Sequence, residues 1–509
     1  MTKTWIEKQT AETPLRFGTA GLRGICGEGA GQINSATLGA ASLGLADHLL
    51  QQETQPLVLI AYDSRIDSRR FAEETACVLA AKGVRVQIFR ELTPVPVLSF
   101  AIRKLRASAG IMITASHNPK EYNGYKVYHR SGRQILEAEA DEILHQIEAA
   151  DRTELERIQL DFAGLSPQQC SYVAETVFQD YLAEVERALH LTPEHRLNVI
   201  YTPLNGAGKR AVTALLRTAG FTYQIVSEQE DSDGNFPTCP YPNPERKEVF
   251  ALAEKYGRIG RADLLLATDP DCDRVGVMVW DKGEYRLLSG NELGILLFHY
   301  ICTHTADCSG RRLYTSVVSA PLVDRIAEHF QVQVKRVPVG FKFIGELIER
   351  APQAFLFGFE ESNGYLAGNY ARDKDGAAAA ALTCRMAAHY KAQGKNLFDV
   401  LQEIYETYGY ELDRTETLEI TNAEEREVIL QKLTEAGSFA ESKDALCSEF
   451  PLHDIVQLCP TDGVQVIVRP SGTEPKIKFY YTASGNSRQV CEEKYAQAKR
   501  MMKQMMQDE

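Results

Sequence analysis

The feature that most constrains the fold of this chain is a repeated alternation of short apolar runs with amphipathic segments. Apolar runs at residues 57–62, 84–88 and 111–114 are separated by helical patterns at about 69–81 and 95–105. Parallel strands need crossover connections, and helices in those connections cover both faces of the sheet. The alternation therefore predicts an α/β unit with a mostly parallel sheet.

The same rhythm restarts at about residues 197 and 313. After a helical pattern at about 397–408, strand patterns at 464–468 and 477–482 and a last helix indicate a smaller module of another kind. A chain of 509 residues is long enough for several domains. We predict an α/β fold with three similar α/β domains, which have mixed, mostly parallel sheets, and a smaller α+β C-terminal domain. The predicted domains are residues 1–192, 193–309, 310–408 and 409–509.

Charge and composition disfavour several classes of protein. With 69 acidic and 56 basic residues the net charge is −13, which argues against a protein that coats nucleic acid. No apolar run reaches the length of about 18 residues that indicates a membrane span, and the first residues lack the apolar core of a signal peptide. The 11 cysteines include no Cys-x-x-Cys pair, so we expect reduced thiols in the cytoplasm and no zinc. The expected partner is a small molecule rather than nucleic acid or a membrane, and no oligomeric state is predicted.

A serine at the end of an apolar strand is the first candidate for chemistry. Ser116 follows the apolar run at 110–113, and Asn118 and Pro119 prevent a helix from starting at once. His117 stands beside the serine, and Lys126 follows a little further on. A hydroxyl presented in this way can carry a phosphoryl group through a covalent step. A serine that only closes a turn gives the same local pattern, so other motifs must decide.

Three carboxylates at alternate positions form the second candidate site. Asp269, Asp271 and Asp273 follow an apolar strand, and their alternation can place all three on one side of an extended loop. A divalent cation would remove their mutual repulsion, and hard carboxylate oxygens suit Mg²⁺. An EF-hand loop does not fit, because Arg274 and Trp280 stand where that loop needs glycine and glutamate. A solvated acidic turn is the remaining alternative.

Two further loops combine groups that can bind sugars and phosphates. Glu360 and Ser362 follow another apolar strand, at a spacing that suits adjacent sugar hydroxyls as well as it suits an acidic loop tip. The run from Arg469 to Lys476 offers a guanidinium fork, hydroxyls and a glycine to a phosphate, although a hairpin turn is also compatible. The sequence contains no Walker phosphate loop and no Gly-x-Ser-x-Gly elbow, and the latter absence disfavours an ordinary esterase.

These four motifs in this order, together with residues 18–24, resemble the α-D-phosphohexomutase superfamily, which includes the phosphoglucomutases and phosphomannomutases. The resemblance covers nearly the whole chain. It is closest to the branch that holds bacterial phosphoglucomutases and phosphopentomutases. The resemblance implies four domains around one central cleft, with three domains alike and the last different, in agreement with the organisation predicted above.

The resemblance also implies catalytic roles. Ser116 would be the residue that is phosphorylated in the active enzyme, and Asp269, Asp271 and Asp273 would hold one Mg²⁺ together with the serine phosphate. Arg274 would contact the phosphoserine region, and Lys374 would lie near the reacting oxygen or phosphate of the substrate. Four further residues would line the reacting side: Thr19, Arg23, His117 and Lys126. Among these, Lys126 is the expected proton carrier.

Substrate-binding roles follow from the same resemblance. The loop of Gly340 and Lys342 resembles the sugar-orienting loop of the third domain, and Val339 stands where many phosphoglucomutases have threonine. Glu360 and Ser362 would bind two sugar hydroxyls. The phosphate that is not transferred would be bound by the residues of one loop: Arg469, Ser471, Gly472, Thr473 and Lys476.

The predicted function is that of a phosphosugar mutase that interconverts α-D-glucose 1-phosphate and glucose 6-phosphate. It would use a phosphoserine, Mg²⁺ and glucose 1,6-bisphosphate as intermediate and activator. A phosphopentomutase or a phosphomannomutase with the same mechanism is the alternative within the family. A sugar-phosphate phosphatase, a kinase-like transferase and a sugar-phosphate-binding protein without turnover are the alternatives outside it.

Overall fold

The structure is a computed structural model that describes residues 21–191, 197–436, 447, 449–452, 455–470 and 476–507. The chain divides into two compact units. Unit 1 comprises Met1–Leu288, Phe341–Gln353 and Asn363–Gln393, and unit 2 comprises Ser289–Gly340, Ala354–Ser362 and Gly394–Glu509. The boundaries of the four domains stay a prediction.

The first sheet of unit 1 contains β1 (Leu22–Ile25), β2 (Leu57–Tyr62), β3 (Arg85–Ile88), β4 (Ala109–Ile113), β5 (Tyr122–His129) and β6 (Cys170–Tyr172). The strands lie in the order β1-β5-β4-β2-β3-β6. Strands β4, β2, β3 and β6 are parallel to one another, whereas β5 is antiparallel to its neighbours β1 and β4. The accompanying helices are α1 (Ser35–Gln52), α2 (Ser68–Ala81), α3 (Val95–Leu105), α4 (Glu137–Ala149) and α5 (Glu175–Leu189). Strand β4 is buried along its whole length, as a strand covered on both faces should be.

The second sheet of unit 1 contains β7 (Asn198–Thr202), β8 (Thr222–Ile225), β9 (Leu264–Thr268), β10 (Val275–Asp281) and β11 (Glu284–Leu287). The strands lie in the order β11-β10-β9-β7-β8. Strands β9, β7 and β8 are parallel, and β10 is antiparallel to β9 and β11. The helices here are α6 (Gly208–Thr218) and α7 (Ala251–Gly260).

The next part of the chain contributes to both units. In chain order it forms α8 (Gly290–His304), β12 (Arg312–Ser316), α9 (Leu322–His329), β13 (Gln333–Val337), α10 (Phe341–Arg350), β14 (Phe355–Glu360), β15 (Gly364–Ala367), α11 (Gly376–Lys391) and α12 (Leu397–Tyr408). Of these elements, α10, β15 and α11 belong to unit 1 and the others to unit 2. In unit 2, β12 lies between β13 and β14 and is parallel to both.

The C-terminal part of unit 2 is a smaller antiparallel module. It contains β16 (Tyr410–Glu419), α13 (Ala423–Ala436), β17 (Val456–Thr461), β18 (Val464–Pro470), β19 (Lys476–Gly485) and α14 (Arg488–Gln507). The strands lie in the order β16-β19-β18-β17, and every pair is antiparallel. Val464, Val466 and Val468 of β18 belong to one apolar core, because alternate side chains of a strand point to the same face.

The predicted fold class is confirmed, with mixed sheets that contain parallel strands and a smaller C-terminal module with an antiparallel sheet. The elements predicted at 57–62, 95–105 and 397–408 match the observed bounds. Helix α5 begins at Glu175, because residues 170–172 extend the first sheet as β6. Within the described ranges, no helix has the length and apolarity that crossing a membrane would require.

A partly buried histidine on α8 is expected to make unit 2 sensitive to acid. His299 packs edge-on against the rings of Phe330 and Tyr408. Burial, with smaller contributions from His329 and His304, lowers the pKa of His299 from 6.5 to about 4. Since the folded pKa lies below the unfolded value, this contribution to stability is present above about pH 6.5 and is lost as the pH falls towards 4.

A His299→Phe variant should therefore lose less stability than the wild type when the pH is lowered from 7 to 5. The expected difference between the two losses is about 1 to 2 kcal/mol, because phenylalanine fills the same site without binding a proton. Urea unfolding of both proteins at the two pH values measures this difference. The same pH dependence in both proteins would show that His299 is not the group responsible.

Candidate active site

The candidate nucleophile lies in the loop that follows β4. Ser116 is buried, its φ of +51° is in the left-handed region, and its N–H donates to Oγ1 of Thr114 at 2.8 Å. Its Oγ donates to Oδ2 of Asp269 at 2.8 Å and lies 3.2 Å from Nδ1 of His117. The turn therefore brings the serine hydroxyl to the aspartate loop of the second sheet.

The three aspartates lie together in the loop between β9 and β10. Asp269, Asp271 and Asp273 are buried, and each offers a carboxylate oxygen within 4.8 Å of the others. Cys272 has a φ of +54°, and its N–H donates to the carbonyl oxygen of Asp269 at 2.9 Å. This turn collects alternate carboxylates at one place.

Backbone contacts from three other elements of unit 1 hold the aspartate loop. The loop carbonyls of Pro270, Asp271 and Cys272 accept hydrogen bonds from the N–H groups of Ala207, Val95 and Gly376, at 2.8, 3.0 and 3.1 Å respectively. A Cβ at Gly376 would lie 2.7 Å from the carbonyl oxygen of Arg274, so glycine permits this close approach. Hydrogen bonds from three neighbouring elements thus hold the backbone that positions the aspartates.

Three cationic side chains of unit 1 face the three aspartates. Nζ of Lys126, on β5, donates to Oδ2 of Asp271 at 2.7 Å and lies 3.7 Å from Oδ2 of Asp273. Nζ of Lys374 lies 3.0 Å from the same oxygen of Asp273, and Nε of Arg274 lies 3.7 Å from the other. Burial strengthens these attractions, because the local dielectric is lower than that of water. Each of these three cations thus lies within 4 Å of a carboxylate oxygen of the cluster, and Arg274 also pairs with Glu245 at 2.7 Å.

Burial and neighbouring charges act on the aspartates unequally. Burial, followed by repulsion from the other two carboxylates, raises the pKa of Asp269 well above its usual value. Burial also acts to raise the pKa of Asp273, but the three cations, Lys374 foremost, outweigh it and hold that pKa below its usual value. The cations therefore favour the ionised form of Asp273, whereas burial and repulsion disfavour the ionised form of Asp269.

The donor set fits a hard divalent cation. Oδ1 of Asp271 and Oδ1 of Asp273 are buried, and neither accepts a hydrogen bond from the part of the chain that the structure describes. An unsatisfied buried carboxylate oxygen is costly, and a cation that prefers oxygen ligands would satisfy it. Asp269, Asp271 and Asp273 could therefore hold Mg²⁺.

A buried network that the sequence analysis did not identify fixes Lys374. Oδ1 of Asp373 accepts from Nζ of Lys374 at 3.3 Å. Its Oδ2 accepts from the hydroxyl of Tyr128 at 2.9 Å and from Nε2 of Gln134 at 3.0 Å. A Cβ at Gly364 would lie 2.1 Å from Cδ of Lys374, so the lysine stem passes where only glycine leaves room. Tyr128 and Gln134 are distant in sequence from the lysine, and no local pattern marks them.

Two more of the predicted residues lie beside the serine loop. Burial, followed by the positive charges of Arg274 and Arg23, lowers the pKa of His117 well below its usual value. Nη1 of Arg23 donates to Oδ1 of Asn118 at 3.2 Å. These surroundings favour the neutral imidazole of His117, whose Nδ1 lies within hydrogen-bond distance of Oγ of Ser116.

In unit 2, a hydrogen bond between a backbone N–H and a carboxylate joins two of the predicted sugar-binding loops. Oε1 of Glu360 accepts from the N–H of Gly340 at 2.7 Å, and Gly340 has a φ of +132°, which favours glycine. Ser362 follows in the turn after β14. Val339 packs against an apolar cluster that includes Ile467 of β18. An apolar residue at position 339 therefore serves packing within this unit.

The other predicted binding residues are placed separately. Lys342, in unit 1, is buried near the start of α10, and burial lowers its pKa. Arg469 lies on β18 opposite Lys478, and Lys476 begins β19. The remaining predicted residues lie outside the described residues: Thr19, Ser471, Gly472 and Thr473.

The sequence matches known domains along most of its length. Residues 14–154, 178–282 and 289–408 match, in order, the phosphoglucomutase/phosphomannomutase alpha/beta/alpha domains I, II and III. A phosphoglucomutase of Staphylococcus haemolyticus is 34% identical over 520 residues, which cover 97% of this chain and 94% of the relative. A phosphoglucomutase of Staphylococcus aureus strain MRSA252 is 34% identical over 504 residues, which cover 93% of this chain and 90% of the relative.

Solved structures share the fold. The open form of parafusin, a phosphoglucomutase from Paramecium, has a TM-score of 0.74 and 17% identity, and the match covers 97% of this chain and 95% of parafusin. The N-acetylphosphoglucosamine mutase of Aspergillus fumigatus has been solved in complex with glucose 1,6-bisphosphate, and that structure has a TM-score of 0.54, with 13% identity over 98% of this chain and 97% of its own. The same enzyme with GlcNAc-6P and magnesium has a TM-score of 0.51, with 14% identity over 97% of this chain and 96% of its own.

Three matched domains and relatives that are similar over nearly their whole length define the class of this protein. The chain belongs to the phosphoglucomutase/phosphomannomutase family of the α-D-phosphohexomutase superfamily, in its bacterial phosphoglucomutase branch. It is a mutase, an isomerase that transfers a phosphoryl group within its substrate. The predicted family and the predicted enzyme class are thereby confirmed.

Proposed function

We propose that this enzyme interconverts α-D-glucose 1-phosphate and glucose 6-phosphate through phosphorylated Ser116 and a glucose 1,6-bisphosphate intermediate. The observation that carries the proposal is that a buried serine hydroxyl meets a three-carboxylate cluster and two lysines within unit 1. A phosphoryl carrier, metal-type ligands and cations are the parts that phosphoryl transfer requires. Two relatives named phosphoglucomutase support glucose as the sugar.

The first half-reaction moves the phosphoryl group from Ser116 to the free hydroxyl of the bound sugar phosphate. The P–O bond to Oγ breaks while a P–O bond to the sugar oxygen forms, and Oγ keeps the electron pair of the broken bond. Lys126 is the proton carrier in this proposal: its Nζ gives a proton to the departing Oγ of Ser116 and takes up the proton of the sugar hydroxyl. The bisphosphate then turns round, and its other phosphoryl group returns to Oγ of Ser116.

Electrostatic stabilisation is the main contribution of the protein. Mg²⁺, held by the three aspartates and the serine phosphate, would neutralise charge on the transferring group. A phosphoserine adds a charge of about −2, so the phosphate and a divalent cation together leave the charge of the cluster nearly unchanged. Arg274 and Lys374 face the same cluster and would stabilise the phosphoryl oxygens.

Substrate binding is assigned to loops that lie outside the aspartate cluster. Glu360 and Ser362 bind sugar hydroxyls in this proposal, and the loop of Gly340 and Lys342 orients the ring. The hydrogen bond from Gly340 to Glu360 supports this assignment, because it joins two of these loops within unit 2. The phosphate that is not transferred is assigned to Arg469, Ser471, Gly472, Thr473 and Lys476, and Thr19 and Arg23 line the reacting side.

A coupled assay over a panel of sugar 1-phosphates tests the proposal. Among the 1-phosphates of glucose, mannose, ribose and deoxyribose, we expect the highest kcat/KM with glucose 1-phosphate. Turnover should require Mg²⁺ and should increase with catalytic amounts of glucose 1,6-bisphosphate, because the bisphosphate rephosphorylates Ser116. A preference for ribose or mannose would identify another mutase, and inorganic phosphate as the main product would identify a phosphatase.

We also propose that the enzyme acts in a reducing compartment, the cytoplasm. The structure describes all 11 cysteines and joins none of them in a disulfide, and most of them are buried. Unpaired cysteines are typical of proteins in compartments where thiols stay reduced. The proposed partner is the phosphosugar alone.

A further inference from the structure

An almost fully buried arginine donates hydrogen bonds to the backbone of the loop that carries Ser116. Arg65 lies in the loop after β2 and is only 3% exposed. Its Nη1 donates to the carbonyl oxygens of Pro119 at 2.8 Å and Tyr122 at 3.0 Å, and its Nη2 donates to those of Ser116 at 2.5 Å and Asn118 at 2.6 Å. One guanidinium thus binds four carbonyl groups between the candidate nucleophile and β5.

A buried aspartate extends this network to the other side of the serine. Nε of Arg65 donates to Oδ2 of Asp63 at 3.2 Å, so every N–H group of the guanidinium has an acceptor. Asp63 also accepts from the hydroxyls of Thr114 and Ser68, each at 2.6 Å. Because Thr114 accepts the N–H of Ser116 at 2.8 Å, both peptide groups of the serine are tied to Arg65.

The network is not needed to pair the strands from which it projects. Strands β2 and β4 are already joined in parallel register up to Tyr62 and Ile113, and the N–H of Asp63 donates to the carbonyl oxygen of Ile113 at 3.1 Å. What Arg65 adds is the shape of the loop beyond the sheet. The ring of Phe236, fully buried, has its centroid 5.3 Å from Cζ of Arg65 and helps to exclude water from the guanidinium.

We propose that Arg65 is a positioning residue for phosphoryl transfer. It holds Ser116 in the left-handed conformation and so keeps Oγ directed at the aspartate cluster. A residue other than glycine adopts that conformation only when its surroundings impose it, and Arg65 supplies the contacts that do so. This inference rests on the proposed function, because it assigns a purpose to the geometry of the phosphorylated serine.

An Arg65→Lys variant tests the proposal, since lysine keeps the charge but offers fewer donors in a different geometry. We expect kcat to fall about 100-fold while KM stays within about twofold, because displacing a reacting atom by about 1 Å has an effect of that size. The rate at which radiolabelled glucose 1,6-bisphosphate phosphorylates Ser116 should fall by the same factor. In an Arg65→Ala variant, methylguanidinium should restore part of kcat.

The matched control is Arg133→Lys. Arg133 is 5% exposed and pairs with Glu139 and Glu346, so this variant loses a similar buried guanidinium at a different place in unit 1. It should lose thermal stability but keep kcat. A wild-type kcat in Arg65→Lys, or equal losses of kcat in both lysine variants, would overturn the positioning role.

The same experiments separate this inference from the proposed function. If wild-type enzyme is phosphorylated on Ser116 but prefers another sugar, the proposed substrate is wrong, and the phosphorylation rates still decide the role of Arg65. If wild-type enzyme is never phosphorylated on Ser116, both proposals are overturned.

Discussion

Replacing Ser116 with alanine is expected to abolish conversion of glucose 1-phosphate, with a loss of about 10⁴-fold or more in kcat. The reason is chemical, because among the described residues no other hydroxyl donates to the aspartate cluster, and transfer through a covalent carrier stops without the carrier. Incubation with radiolabelled glucose 1,6-bisphosphate should leave the variant unlabelled, whereas wild-type enzyme should take up one phosphoryl group. Measurable mutase activity in pure Ser116→Ala would reject the assignment of the carrier.

The Ser116→Ala variant should keep its fold. Alanine and serine bear a similar cost in the left-handed conformation, and the variant loses the hydrogen bonds of Oγ with Asp269 and His117, each with a net contribution of about 1 kcal/mol. A matched control is Ser108→Ala, at the opposite end of β4, where Oγ accepts the N–H of Leu57 at 3.0 Å. That control should lose comparable stability in thermal unfolding and retain full turnover. Loss of turnover in Ser108→Ala as well would point to damage to the sheet rather than to the chemistry.

The parts of the site that could be predicted from sequence are those encoded within a short run of residues. Ser116 and Asp269 each follow a buried strand, and side chains at the ends of such strands often form the ligand-binding edge of an α/β sheet. Alternation of the three acids predicted a cluster, and the turn at Cys272 is what makes the cluster possible. Local patterns therefore indicated residues that the structure brings together, namely Ser116 and the three aspartates.

The partners that hold those residues could not be predicted, because their contacts join distant parts of the chain. Lys126 meets Asp271 across 145 positions, and Arg65 meets the carbonyl of Ser116 across 51. Nothing near Tyr128 shows that its hydroxyl serves Asp373, 245 positions away. Such contacts depend on how sheets and loops pack, and one sequence records only the local preferences of each segment.

The two carboxylate oxygens of Asp271 differ in their partners, and this makes Asp271 the most informative position for testing metal binding. Its Oδ1 is buried and accepts no hydrogen bond from any described residue, while its Oδ2 accepts from Lys126 at 2.7 Å. A metal ion is the natural partner for Oδ1. The charge on Oδ2 is already compensated by Lys126. Removing the charge at this position should therefore affect metal binding while asparagine preserves the shape of the side chain.

In an Asp271→Asn variant, we expect kcat at saturating glucose 1-phosphate to fall about 10³-fold, because a bound divalent cation contributes several kcal/mol to the stabilisation of a transferring phosphoryl group. Titration calorimetry should show weaker binding of Mg²⁺ to the variant in the absence of substrate, which separates a lost ligand from a lost catalytic step. The matched control is Asp281→Asn. Asp281 is also buried in unit 1, but it lies at the far end of β10 and pairs with Arg286 of β11. That control should keep both the affinity for Mg²⁺ and kcat. Unchanged Mg²⁺ affinity in Asp271→Asn would show that the cation binds elsewhere, and unchanged turnover in EDTA would show that the enzyme does not need it.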